Sequence, residues 1–231
     1  MQIEKIDLKN GAILVADVHY KKGDKKFLEF LESLNQNPPS QLFLLGDIFH
    51  LLLPFEFLVE YNKEAIELIN SIAKKTEVFY TYGNHDFWLD EIFENVVISE
   101  AFLDKEKSIF LTHGDLSEKD FSYQIYLKII RNKSFVRMLN ILSFNFINNW
   151  LFKKILKKSV KCNKIENFKT TIFKKIADIS YNMIIEGHYH QNVFYKFGNK
   201  KYYGLCAYFC KKCYYTYKDY KLKEIDGRQN T

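Results

Sequence analysis

An α/β fold interrupted by a helical insertion is predicted from three observations. Short apolar runs rich in strand formers recur along the chain, and each stops abruptly at a polar or glycine-bearing turn. Between the early runs, apolar residues return at helical spacing. From about residue 119 to residue 180 the chain carries neither Gly nor Pro and reads as helical throughout, after which the strand pattern resumes.

The elements follow in order. Ala12-Ile13-Leu14-Val15-Ala16 reads as a buried strand ending at Asp17. Phe27, Phe30, Leu31 and Leu34 mark a helix that Pro38-Pro39 stops. Residues 41–45 form the next strand, ending at Gly46-Asp47. Residues 57–74 read as one helix, with Leu58, Tyr61, Ala65, Leu68, Ile69 and Ile72 as its stripe. Residues 77–82 form a third strand, ending at Gly83-Asn84-His85-Asp86. Further strands are expected at 96–98 and 108–112, the latter ending at His113-Gly114-Asp115, and at 183–186, ending at Gly187-His188-Tyr189-His190. Residues 193–225 read as two or three closing strands. The organisation is therefore a core at 1–115 and 183–225, an insertion at 116–182 and a disordered tail at 226–231.

Composition bounds the class. The chain has 231 residues, 47% hydrophobic and 27% charged, which excludes a disordered or fibrous protein. No apolar run reaches the roughly 18 residues of a membrane span. The N-terminus has no apolar signal core, so a cytoplasmic location is expected. Cys162 stands alone while Cys206, Cys210 and Cys213 cluster. Three thiols could be part of a zinc site, but no fourth ligand lies nearby and the surrounding residues read as strand. Reduced structural thiols are the expectation.

Five of the six histidines sit immediately after an apolar strand: His19, His85, His113, His188 and His190. Asp17, Asp47 and Asn84 share that placement. Sites in open α/β sheets form beyond the carboxyl ends of strands, so seven oxygen and imidazole donors are expected to converge there: Asp17, His19, Asp47, Asn84, His113, His188 and His190. One ion does not need seven protein ligands, whereas two ions sharing a carboxylate do. Mixed imidazole, carboxylate and amide ligation suits Mn, Fe or Zn, and two such ions act as a clamp for phosphoryl transfer. Asp86 is expected to support its loop. His50, the sixth histidine, is expected to be exposed.

These motifs resemble the calcineurin-like metallophosphoesterases, whose pattern is Asp-x-His, Gly-Asp, Gly-Asn-His-Asp/Glu, His and Gly-His-x-His. The resemblance implies a four-layer α-β-β-α sandwich. It implies one divalent ion, most readily Mn(2+), on Asp17, His19, Asp47 and His190. A second would lie on Asp47, Asn84, His113 and His188, with Asp47 bridging. Catalytic roles fall to Asn84 and to His85, which would donate to a phosphoryl oxygen or protonate the leaving group.

The insertion resembles that of the UDP-2,3-diacylglucosamine hydrolases of lipid A biosynthesis, through His113-Gly114-Asp115 followed by Asp120, Tyr123, Gln124 and Arg131. The better-known of those hydrolases carry Arg where this chain has His85. The resemblance implies a helical lid and attack of metal-bound hydroxide on the diphosphate of a UDP-linked glycolipid. UMP and 2,3-diacylglucosamine 1-phosphate would be released. Asp120, Tyr123, Arg131, Ser159, Asn163 and Lys164 are the candidate substrate contacts. Residues 150–175 hold nine Lys against one acid, Glu166, among many apolar side chains. Such a segment suits an anionic membrane surface, so a monomer peripheral to the cytoplasmic face of the inner membrane is expected, with no obligate nucleic-acid partner. The alternative is a phosphoesterase of soluble nucleotides or nucleic-acid phosphodiesters, the basic segment then tracking phosphates.

Overall fold

The computed structural model describes residues 2–115, 132–134, 137–138, 146–177 and 179–227. Its strands are β1 (Ile3–Lys5), β2 (Ile13–Val15), β3 (Gln41–Leu45), β4 (Glu77–Thr81), β5 (Val96–Ser99), β6 (Ala101–Asp104), β7 (Ile109–Thr112), β8 (Met183–Glu186), β9 (Val193–Phe197), β10 (Lys200–Gly204), β11 (Cys213–Lys218) and β12 (Lys221–Asp226). Helices are α1 (Lys25–Gln36), α2 (Glu56–Tyr61), α3 (Lys63–Ala73), α4 (Phe146–Leu156), α5 (Phe168–Ile176) and α6 (Tyr208–Lys211).

The strands form two six-stranded sheets, ordered β1-β6-β7-β8-β10-β9 and β12-β11-β2-β3-β4-β5. β2 to β5 are mutually parallel, and so are β7 and β8. The carboxyl ends of β2, β3 and β4 therefore share one edge.

Alternation along each central strand sorts its side chains between two cores. Leu14, Phe43 and Phe79 meet Phe102, Leu111 and Ile185 between the sheets. On the outer face of the second sheet, Val15, Leu42, Leu44 and Val78 pack against Phe27 and Leu31 of α1 and Ile69 and Ile72 of α3. On the outer face of the first, Phe110, Ile184 and Tyr202 pack against Phe168, Ile172 and Ile176 of α5. The result is the four-layer α-β-β-α sandwich. Strands covered on both faces are apolar in both registers, which is why they read as unbroken runs.

Several local expectations change. The predicted helix 57–74 is two helices that break at Asn62, whose buried amide donates to the carbonyls of Leu51 (3.0 Å) and Leu58 (2.8 Å). β1 and β6 carried no visible signal: β1 is exposed along its whole length and β6 is a four-residue hairpin arm. The closing region holds four strands, with Tyr208–Lys211 a short helix where strand was expected. Order extends past the expected tail boundary, since Asp226 pairs with Cys213 and the Gly227 N–H donates to Lys212. Residues 157–167, expected to be helical, are not.

The thiols are not reduced. Cys162 is bonded to Cys210 and Cys206 to Cys213, with Cα–Cα distances of 5.9 and 6.3 Å inside the usual disulfide range. Cys210 is drawn away from its sequence neighbours to a partner 48 residues distant, so the clustered thiols do not form one metal site.

Candidate metal centre

Each strand end delivers its donor through a tight turn. Asp17, His19, Asp47, His188 and His190 all have φ between 48° and 67°. This left-handed region is uncommon for residues with a Cβ, and strain of this kind gathers at functional sites. Two hydrogen bonds tie the first turns together, Asp17 N–H to the Gly46 carbonyl (3.1 Å) and His19 N–H to the Asp47 carbonyl (2.9 Å). The turn after β8 is anchored by His188 N–H, which donates to both Asp17 carboxylate oxygens (2.9 and 3.1 Å). Close approach demands glycine at Gly187, where an added Cβ would lie 2.6 Å from Asp17 Oδ2.

The predicted donors form two overlapping groups, and His19, His50 and His85 form a third beside them. Asp17, His19 and His190 present ligand atoms within 4.8 Å of one another, as do Asp17, Asp47 and His113. The His19 and His190 Nε2 atoms are 3.4 Å apart. Asp47 Oδ2 stands 3.9 Å from His19 Nε2 and 3.6 Å from His113 Nε2, so this carboxylate lies between the groups. The His188 ring is 5.1 Å from that of His113, centroid to centroid.

Tautomers are set from outside. His113 Nδ1 donates to the Leu45 carbonyl (3.0 Å) and His190 Nδ1 to the Lys161 carbonyl (2.8 Å). Both rings therefore turn Nε2 inward, the nitrogen that would bind a metal once deprotonated. Asn84 Oδ1 and His113 Nε2 are buried without a hydrogen-bond partner. Buried polar atoms are almost always paired, and a cation would satisfy both.

Electrostatics agree. Burial opposes charge on His113, yet Asp47, with help from Asp17 and Asp115, raises its pKa to about 10. Burial lowers that of His19 to about 3 despite the pull of Asp47. The buried carboxylates thus demand a positive charge at the His113 end, which a proton or a metal ion can supply. These residues fit a divalent-metal pair.

Asp86 holds the site without joining it. Its buried carboxylate accepts the N–H groups of Asp47 (2.9 Å), Ile48 (2.6 Å), Phe49 (3.2 Å) and Gly83 (2.9 Å), and the Tyr80 hydroxyl (2.6 Å). Burial and then Asp47 raise its pKa to about 6. His85 stands beside the centre, its ring 4.9 Å from that of His19. Its Nδ1 donates to the His50 carbonyl (2.8 Å), so Nε2 is the nitrogen left for a substrate.

His50 is not exposed. It is 1% accessible, with His19 and His85 within ring distance at 5.7 and 5.5 Å, because the loop after β3 folds back under α4. Ser159, Asn163 and Lys164 are exposed on the non-helical segment 157–167. Asp120, Tyr123 and Arg131 lie outside the described residues.

The Calcineurin-like phosphoesterase family model matches residues 12–192. The chain belongs to that family. It is accordingly a metal-dependent hydrolase, and the family's two-metal requirement meets a donor set able to supply it. Among curated proteins it is similar to the UDP-2,3-diacylglucosamine hydrolase of Wigglesworthia glossinidia brevipalpis, 25% identical over 83% of this chain and 84% of that protein. The enzyme of the same name from Hamiltonella defensa is 26% identical over 78% and 77%. Among solved structures, the E. coli phosphoesterase Yfce aligns with a TM-score of 0.49 and 17% identity, covering 95% of this chain and 94% of that one.

Proposed function

We propose that this phosphoesterase hydrolyses the diphosphate of UDP-2,3-diacylglucosamine, releasing UMP and 2,3-diacylglucosamine 1-phosphate. The similarity to enzymes of that name supports the reaction. The observation that carries it is an apolar insertion helix seated beside the centre. Phe152 and Leu156 of α4 pack on Leu51, Leu53, Leu58 and Phe87, in the segments that follow the strand ends bearing Asp47 and Asn84.

In this reading Asp17, His19, Asp47 and His190 hold one divalent ion and Asp47, Asn84, His113 and His188 the other, both Mn(2+). When bound, the ions supply Lewis acidity at the phosphate and a water of lowered pKa. Asn84 orients a phosphoryl oxygen. His85, its Nδ1 already committed to the His50 carbonyl, gives a proton from Nε2 toward the leaving group. Ser159, Asn163 and Lys164, with Asp120, Tyr123 and Arg131, contact the glycolipid. The lysine-rich stretch rests on an anionic membrane surface, with Trp150 58% exposed beside Lys154 as an interfacial anchor.

The test is release of UMP from UDP-2,3-diacylglucosamine by Mn-loaded protein, set against bis(p-nitrophenyl) phosphate. UMP release with saturation is expected. Rapid diester hydrolysis with no UMP would overturn the substrate assignment and leave the metal chemistry standing.

A further inference from the structure

Residues 155–165 leave the end of α4 and run past the donor turns at the strand ends of both sheets. Their backbone is held there by residues adjacent to the candidate ligands. Lys21, two residues past His19, donates to the Lys158 carbonyl (2.8 Å). His50, three past Asp47, donates from Nε2 to the Ile155 carbonyl (3.2 Å). His190 donates to the Lys161 carbonyl (2.8 Å). Gln191 donates to the Asn163 carbonyl (3.0 Å) and accepts from the Ile165 N–H (2.8 Å). Cys162 is bonded to Cys210 on α6, where the Phe209 N–H donates to the Asp17 carbonyl (3.1 Å).

This arrangement has a physical logic. The last carbonyls of a helix lack intrahelical donors, and a non-helical segment leaves still more acceptors open. Here the donors come from the turns that carry Asp17, His19, Asp47, His188 and His190. Apart from the Cys162 disulfide, the stretch is held through its backbone. That hold explains a fully buried His50 with no place in the ligand pattern.

We propose that residues 155–165 are a strap locked onto the metal centre, and that His50 is the positioning residue that seats it. The coupling runs both ways through His190. Its Nδ1 is spent on the strap, which fixes Nε2 toward Asp17 and His19. A strap that lifts frees this ring, so the lid and the first ion's ligand set form one unit. The inference rests on the proposed function for the first ion's ligand set and for the substrate used to read it.

His50→Phe keeps a ring and removes the donor. His50→Gln restores an N–H donor of similar reach. Three measurements are made on the full chain: amide hydrogen exchange of residues 155–165, Mn bound per chain, and kcat and KM for UDP-2,3-diacylglucosamine. For His50→Phe, strap exchange is expected to rise about tenfold, as loss of one hydrogen bond implies. Mn affinity falls, and KM rises by a similar factor with a smaller change in kcat. His50→Gln returns all three toward wild type. Unchanged strap exchange in His50→Phe overturns the proposal, as does a uniform rise across the chain or a failure of Gln to rescue. If His50→Phe does not fold, Gln191→Leu breaks the other end of the same seat and is read the same way. Wild-type protein that releases no UMP refutes the substrate assignment alone, and the exchange and metal measurements still decide the strap.

Discussion

Asp86 is the residue whose loss should reach furthest from a single atom pair. Its carboxylate gathers four backbone N–H groups and a tyrosine hydroxyl. Asp86→Asn turns one acceptor into a donor facing those donors. A stability loss of about 2–3 kcal/mol is expected, with reduced Mn per chain, read by thermal unfolding and metal analysis. Gly187→Ala tests the turn after β8, because its Cβ would displace Asp17 Oδ2. The expectation is sub-stoichiometric metal with little change in the far-ultraviolet circular dichroism. His113 gives a pH dependence with a definite sign. Its pKa is raised to about 10 in the metal-free site, so at pH 7.5 it is protonated, and metal must displace that proton. Loading should therefore release about one proton per chain from this residue, and Mn affinity should fall as pH falls. Calorimetry in buffers of different ionisation enthalpy measures both.

At the scale of elements, α5 is tied to β8 by a buried ion pair that sequence patterning does not reveal. Lys175 Nζ lies 2.8 Å from both Glu186 carboxylate oxygens and reaches the Tyr189 hydroxyl (3.2 Å) and the Gly114 carbonyl (3.3 Å). Glu186, 1% exposed, also accepts from Tyr202 (2.7 Å). The pair joins the outer helix layer to the turns bearing His113 and His188. Lys175→Met leaves the Glu186 charge buried and uncompensated and should cost about 3–5 kcal/mol in denaturant unfolding. Adding Glu186→Gln should recover part of that loss. The amphipathic stripes of α1 and α3 were legible because their buried residues repeat locally. The Lys175–Glu186 pair was not, because Lys175 read as one more member of the basic segment 150–175.

Across the whole molecule, charge is segregated. The net charge is +6, yet residues 150–175 alone carry +8, leaving the remainder at −2. Lys153 and Lys154 lie over the Phe57 and Trp150 rings, which keeps cationic groups beside apolar surface. Among the described residues no helix is long and apolar enough to cross a membrane. Charge reversal at Lys153, Lys154 and Lys157 should weaken sedimentation with anionic phospholipid vesicles by at least about a hundredfold, at about 1 kcal/mol per basic residue. Binding to neutral vesicles should not change. Equal loss on both would remove the electrostatic part of the membrane reading.

What the sequence determined by itself was the inner framework and the donor set. Buried strands and their terminal turns are local features: a short apolar run, then a glycine, an acid or a histidine, is written within a few residues. The tertiary structure decided which donors meet. Asp17 and His190 are 173 positions apart in the chain, and only the order of strands in two packed sheets brings them within 3.4 Å. It also decided what local patterning misread. Residues 157–167 lack Gly and Pro yet are not helical, and donors from distant turns take the Lys158, Lys161 and Asn163 carbonyls. His50 is polar and near a turn yet buried, because α4 covers it. Cys162 finds Cys210 across the layers. Periodicity reports the burial of a segment against its own neighbours, while convergence depends on packing between segments, which no short window of sequence contains.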